Sequence, residues 1–72
     1  MVTITKTPKE VLHDEDVQTA YALETVLHVY SLQAADGRAL AAGIVTDWNE
    51  EAFFIDHIAY IRDRHVFLNF ES

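Results

Sequence analysis

Between residues 25 and 70 the chain is a series of short apolar runs, and this pattern leaves few folds open to it. The runs are rich in β-branched and aromatic residues, which favour a pleated, half-buried strand. Residues typical of turns separate the runs, and Asp36-Gly37 between two of them is the strongest short-range hairpin signal. The pattern therefore predicts a mainly β fold with short connections.

Five antiparallel strands are predicted from these runs. In the last run, alternation points Val66, Leu68 and Phe70 inward and leaves Phe67 on the outer face. Gly43 interrupts the second run, where a residue without Cβ would allow a strand to bend sharply. The predicted strands span about residues 25–33, 39–46, 52–56, 58–61 and 65–70.

One short helix is predicted ahead of the strands, over about residues 14–23. Asp14 is a candidate N-cap, and Glu15 and Asp16 follow it where the helix dipole favours negative charge. Upstream of the helix, Val2 to Thr5 could form an edge strand.

Two stretches also allow a helical interpretation. The N-terminal helix could continue as far as Tyr30, because apolar residues still recur at helical spacing up to that point. Asn49, followed by two glutamates, could cap a second helix across residues 50–64. Strands are favoured for residues 50–64, because Phe, Ile and Tyr dominate and apolar residues occupy both sides, as in a closed small barrel.

The length of the chain predicts a single domain over residues 1–72. A chain of 72 residues buries about 60% of its unfolded surface, which leaves little for a second core. Cysteine is absent, so neither a disulfide framework nor a thiolate metal site is available to add stability. Self-association is the remaining route to a stable fold.

The charge balance bears on the partners. Five Lys and Arg against twelve Asp and Glu give a net charge of −7, so the average surface repels phosphate backbones and anionic lipid. A local site could still present a few donors to nucleic acid. No apolar run is long enough to span a bilayer and no signal peptide is visible, so a cytoplasmic protein without a membrane partner is expected.

No catalytic or metal-binding motif is found. The four histidines lack the spacing of a metal site, and no Ser or Cys nucleophile occurs in a recognisable turn. Two glycines six residues apart cannot make a phosphate-binding loop. Neither enzymatic activity nor a cofactor is therefore expected.

The order of elements and short motifs resembles that of the Sm-like (LSm/Hfq) family. Gly37, Gly43, Asp47 and Asn49 occur in the order of that family's first signature. Residues 61–66 are similar to its second signature, roughly Ile-Arg-Gly-x-Asn-Val, with Asp in place of Gly and His in place of Asn. The resemblance implies a short N-terminal helix followed by a five-stranded, strongly bent antiparallel Sm-like/SH3-like barrel, in a homo-oligomeric ring that takes part in RNA or DNA processing.

The resemblance also implies a nucleic-acid site where two loops meet. An aromatic ring can stack on a base, an amide can read a base edge and an arginine can clamp or stack. The same residues could instead be structural, with the tryptophan closing the barrel end and the arginines paired to nearby aspartates. The residues implied are Trp48 as the stacker, Asn49, Arg62 and His65.

The aromatic residues of the last strand bear on self-association. In Sm-like rings this strand pairs with the neighbouring subunit's sheet, which satisfies an otherwise open edge. Phe67 and Phe70 are therefore expected at an oligomer interface.

A narrower likeness is to the Rof (YaeO) family of small acidic Sm-like proteins. It depends on the acidic helix start, on residues 32–40 and 55–58, and on the final strand over residues 66–72. It implies an alternative function, in which the protein binds and inhibits a nucleic-acid-binding protein such as the transcription termination factor Rho. Asp14, Glu15 and Asp16 would then offer carboxylates to arginines of the partner. A weaker third possibility is an α+β assembly module, which a helix across residues 49–64 would favour.

Overall fold

The computed structural model of the protein describes residues 8–33 and 37–70. The edge strand considered for Val2 to Thr5 and Asp36 of the predicted hairpin turn lie outside these ranges. Within them, no helix has the length and apolar character that crossing a membrane requires. The elements are β1 (Lys9–Glu10), α1 (Asp14–Leu23), β2 (Val26–Ser31), β3 (Ala41–Trp48), β4 (Ala52–Ile55), β5 (Ile58–Ile61), a 3-10 helix (Arg62–Arg64) and β6 (His65–Asn69).

The strands form one antiparallel sheet in the order β1-β6-β2-β3-β4-β5. The prediction of a mainly β fold with one N-terminal helix is confirmed. The predicted five-stranded closed barrel is wrong, because the described residues form six strands in an open sheet whose edges are β1 and β5. The sixth strand, β1, has two residues, which is too short for any alternation to reveal in the sequence.

Helix α1 has the predicted bounds, but His13 and not Asp14 occupies the N-cap position, and its side chain makes no capping hydrogen bond. The His13 carbonyl accepts the N–H groups of Asp16 and Val17, at 3.0 and 3.1 Å. At the other end Glu24 takes a left-handed conformation with φ of 53°. This ends the helix, so the continuation to Tyr30 does not occur and β2 begins at Val26.

Residues 50–64, for which both a helix and two strands were considered, contain β4 and β5 and no α-helix. The two strands are joined by Asp56 and His57, whose φ angles are 49° and 70°. Positive φ at both central residues is the conformation that matches the twist of a two-residue hairpin. The helix across residues 49–64 that would have favoured an α+β assembly module therefore does not form.

Gly43 lies in β3, and the register of β3 against β4 shifts two residues further on, between Val45 and Asp47. A Cβ built on Gly43 would overlap the Asp56 carboxylate. Asp56 is held there because Ile44 N–H donates to its Oδ1 at 3.3 Å and its own N–H donates to the Ile44 carbonyl at 3.0 Å. Gly43 is thus required for the close approach of the β4–β5 turn.

The core lies between α1 and one face of the sheet. Phe67 is part of it, with 2% of its surface exposed, and its ring centroid lies 4.7 Å from that of Phe53. The predicted orientation of the last strand is therefore inverted, because Val66 and Leu68 face the other way and are only half-buried. The buried core residues are Val11, Val17, Ala20, Leu27, Val29, Val45, Phe53, Ile55 and Phe67.

Candidate functional site

Arg62 joins three parts of the fold at the start of the 3-10 helix. Its Nη1 donates to Asp14 Oδ1 and to the Asn49 carbonyl, both at 2.9 Å, and its Nη2 donates to the Leu12 carbonyl at 3.0 Å. Only 20% of its side chain is exposed. The guanidinium therefore ties the end of β5 to the start of α1 and to the β3–β4 loop, and these bonds use three of its five N–H donors.

The guanidinium of Arg62 also rests on the core. Its Cζ lies 4.5 Å from the ring centroid of Phe53, which is 1% exposed. A cation over the face of an aromatic ring is attracted by the ring quadrupole. The main-chain N–H of Arg62 donates to the Glu51 carbonyl at 2.8 Å, which continues the β4–β5 pairing by one more bond.

Asn49 shapes the loop between β3 and β4. Its Oδ1 accepts the main-chain N–H groups of Glu51 and Ala52, both at 2.8 Å, and its own N–H donates to the Ala52 carbonyl at 2.9 Å. An Asn that bonds its own backbone two residues on makes a recurrent turn. The amide oxygen is thus committed to the loop and is not free to read a base edge.

Trp48 and His65 are also engaged within the chain. The half-buried Trp48 packs edge-on against Tyr21 of α1, with ring centroids 5.4 Å apart. His65 Nδ1 lies 2.9 Å from the Ile61 carbonyl, and its ring packs edge-on against Tyr60 at 5.4 Å. Of the four residues assigned to a nucleic-acid site, hydrogen bonding joins Asn49 and Arg62, while His65 lies at the far end of the 3-10 helix.

A concave surface opens beside Arg62, between the start of α1, the β3–β4 loop and the 3-10 helix. We call it the acidic groove, since five of its residues carry carboxylates and its arginine is already bonded to one of them. Lys9, which approaches Asp16 to 3.9 Å at the margin, is 72% exposed and compensates little of this charge. The groove is lined by Leu12, His13, Asp14, Glu15, Asp16, Glu50, Arg62 and Asp63.

Three of these acids were identified from the sequence and two were missed. Asp14, Glu15 and Asp16 were recognised as one cluster because they are consecutive. Glu50 and Asp63 join them only through the β4–β5 hairpin, which lies between these two residues in the chain. The sequence did contain a signal for these two acids, because Glu50 precedes one predicted strand and Asp63 follows the next. The two strands of an antiparallel hairpin lie side by side, so the start of the first and the end of the second are neighbours.

The two residues expected at an oligomer interface lie in different environments. The prediction for Phe67 is wrong, because its side chain is buried in the core of its own chain. Phe70 is 44% exposed and packs edge-on against His28 with centroids 4.9 Å apart, so its role remains a prediction. The outer edge of β6 is covered by β1 and by Val11, whose N–H donates to the Phe67 carbonyl at 2.8 Å.

No group of three or more His, Asp or Glu side chains placed to hold a metal ion occurs in residues 8–33 and 37–70. In the same ranges, His28 Nδ1 is buried without a hydrogen-bond partner, on a sheet face away from the groove. What the groove offers chemically is carboxylate oxygens, which accept hydrogen bonds from cationic donors.

Comparisons with models of known protein families, with curated proteins and with solved structures give no match. The function must therefore be inferred from the geometry of the groove and of the sheet.

Proposed function

We propose that this protein is a small binding module without catalytic activity, and that its acidic groove binds a basic surface of a partner protein. The observation that carries the proposal is a concave surface with five carboxylates whose arginine is held by Asp14 and by two main-chain carbonyls. Glu15, Glu50 and Asp63 are exposed and face the solvent across the opening. They are free to accept donors from outside.

The charge of the groove suits an arginine-rich surface. Arginine pairs with carboxylates through two parallel hydrogen bonds, and a concave acidic site raises the local concentration of such groups. The net charge of −7 would steer a basic partner toward the molecule at low salt. Surfaces that bind nucleic acid are basic, so the Rof-like expectation of a nucleic-acid-binding partner, such as Rho, agrees with this chemistry.

A labelled oligo-arginine peptide tests the groove directly by fluorescence anisotropy. The double substitution Glu15→Gln and Glu50→Gln removes two exposed carboxylates of the groove. We expect it to weaken peptide binding about five- to tenfold at low salt, since each exposed carboxylate contributes a modest attraction. Raising the salt concentration should weaken the binding of both proteins.

The matched control is Glu10→Gln with Glu24→Gln, which removes the same charge from exposed residues outside the groove. We expect this control to keep most of the affinity. Equal losses in the two double variants would mean that net charge alone attracts the peptide, and the proposed groove would then be wrong.

The competing proposal is the Sm-like ring that binds RNA or single-stranded DNA. In its favour, the half-buried Trp48 and the 49% exposed Tyr21 form an aromatic pair beside the β3–β4 loop, where a base could stack. Against it stand the internal bonds of Asn49 and Arg62 and the surrounding carboxylates.

A labelled single-stranded RNA in the same assay separates the two proposals. Binding that is lost in Trp48→Ala, in a protein that keeps its β-sheet circular dichroism, would favour the ring. We expect the RNA to leave the anisotropy unchanged where the oligo-arginine peptide raises it.

A further inference from the structure

The two edges of the open sheet differ in length and in chemistry. The β1 edge has two residues, Lys9 and Glu10, which are charged and follow Pro8. Short edges with charge and proline resist pairing with another chain. The β5 edge has four residues, Ile58–Ile61, with neither a charge nor a proline among them.

The β5 edge presents both main-chain groups and apolar side chains. Ile55 and Ile58 flank the two-residue turn and Arg62 N–H bonds the Glu51 carbonyl, which fixes the phase of the hydrogen bonds between β4 and β5. In this phase Ala59 and Ile61 direct their N–H and C=O groups away from β4. Ile58 and Ile61 are 57% and 44% exposed, so this edge is ready to accept a strand.

We propose that β5 pairs antiparallel with β5 of a second copy, about a two-fold axis through Tyr60. The pairing joins two six-stranded sheets into one and makes the protein a dimer. A contact of this kind is isologous and closes at two copies.

The register that places Tyr60 opposite itself suits the side chains. Ala59 of one copy lies opposite Ile61 of the other, so a small residue faces the partly exposed isoleucine, and the Ile61 N–H of each copy donates to the Ala59 carbonyl of the other. The Ile61 carbonyl lies 2.9 Å from His65 Nδ1 and begins the 3-10 helix, so the pairing does not depend on it.

Charge supports the same register. Beyond the paired residues, Asp56 and His57 of the turn lie toward the 3-10 helix of the second copy, which carries Arg64 and Asp63. His57 thus approaches a carboxylate of the second copy, while the Asp56 carboxylate stays bonded to β3 of its own chain. The uncharged strand between them lets two molecules of charge −7 meet without opposed carboxylates.

Of the strands that a second copy offers, β5 is a better pairing partner for β5 than β6 or β1. In a head-to-tail ring β5 would pair with β6 of the next subunit, but β6 lies between β1 and β2 in its own sheet. Pairing with β1 would engage only two residues. The self-complementary contact is the one that uses the whole of β5.

Light scattering and native mass spectrometry of the full chain test the dimer. We expect twice the chain mass of 8.2 kDa, with the amide of Ile61 slow to exchange in the dimer and fast after dilution. Ala59→Pro places a proline ring on the outward side of an edge strand, a position that tolerates proline, and the ring blocks the approach of a second strand, so this variant should be a folded monomer. Ile61→Lys introduces a like charge on both sides of the axis and should do the same.

Leu23→Lys is the matched control, because it places lysine at a 71% exposed leucine on α1, and it should remain a dimer. The inference fails if the chain is monomeric at every concentration, if it forms a larger ring, or if the dimer persists in folded Ala59→Pro. Hydrogen exchange of the unmodified chain decides the question even if a variant does not fold.

Discussion

At Gly43 the missing side chain makes room for a carboxylate. Asp56 turns back over β3, accepts the Ile44 N–H and leaves no space for a Cβ on the glycine. The need for glycine at this position therefore comes from a residue thirteen positions further along the chain. Sequence reasoning recognised the glycine but assigned it to a bend, because the contact that requires it is not local.

Gly43→Ala is expected to lower the free energy of unfolding by about 1–3 kcal/mol, because the new methyl group forces the Asp56 carboxylate out of its position. Urea denaturation measures the change. In an Asp56→Gly background the same substitution should cost much less, since the obstructing carboxylate is absent and glycine suits the positive φ of that turn position. An equal cost in both backgrounds would show that the overlap is not the cause.

At the scale of elements, β6 shows where alternation stops being informative. Apolar residues occupy both of its faces, so the sequence indicates a strand but does not indicate which face is buried. The pairing of Val29 with Phe67 decides this, and it turns Phe67 inward. The helix start and the two-residue turn of the β4–β5 hairpin involve local chemistry, and the sequence located those elements to within a few residues.

The two phenylalanines of this region are expected to respond differently to truncation. Phe67→Ala should cost about 3–5 kcal/mol, which is most of the stability of a domain of this size, so the variant should be largely unfolded. Phe70→Ala removes a 44% exposed ring and should leave a folded protein. Circular dichroism with urea titration distinguishes them, and the opposite ranking would contradict the orientation of β6.

For the whole molecule, the concentration of charge on one side of a small open sheet is the dominant property. The groove brings five carboxylates together with one arginine in its lining, within a chain of net charge −7. Repulsion of this kind disfavours the compact state, and dissolved salt screens it. Repulsion among the groove carboxylates therefore lowers the stability of the folded protein, and a bound basic partner would reduce that repulsion.

Sodium chloride is accordingly expected to raise the melting temperature, by about 2–5 °C on going from low to physiological ionic strength. Thermal unfolding followed by circular dichroism measures it. The increase should be smaller in Glu15→Gln with Glu50→Gln than in Glu10→Gln with Glu24→Gln, because only the first pair lies in the groove. A melting temperature that falls with salt would mean that attractive ion pairs such as Arg62 with Asp14 outweigh the repulsion.

Local composition was sufficient to predict a mainly β chain, a short helix at residues 14–23 and an acidic helix start, because strand preference, helix capping and charge act between near neighbours. Tertiary contacts settled the rest. They determine the hydrogen bonds of Arg62 and place Glu50 and Asp63 in the groove. They also determine which face of β6 is buried and that β5 is an edge strand. Each of these outcomes depends on which segments meet across many intervening residues, and the periodicity of one segment carries no information about its partner.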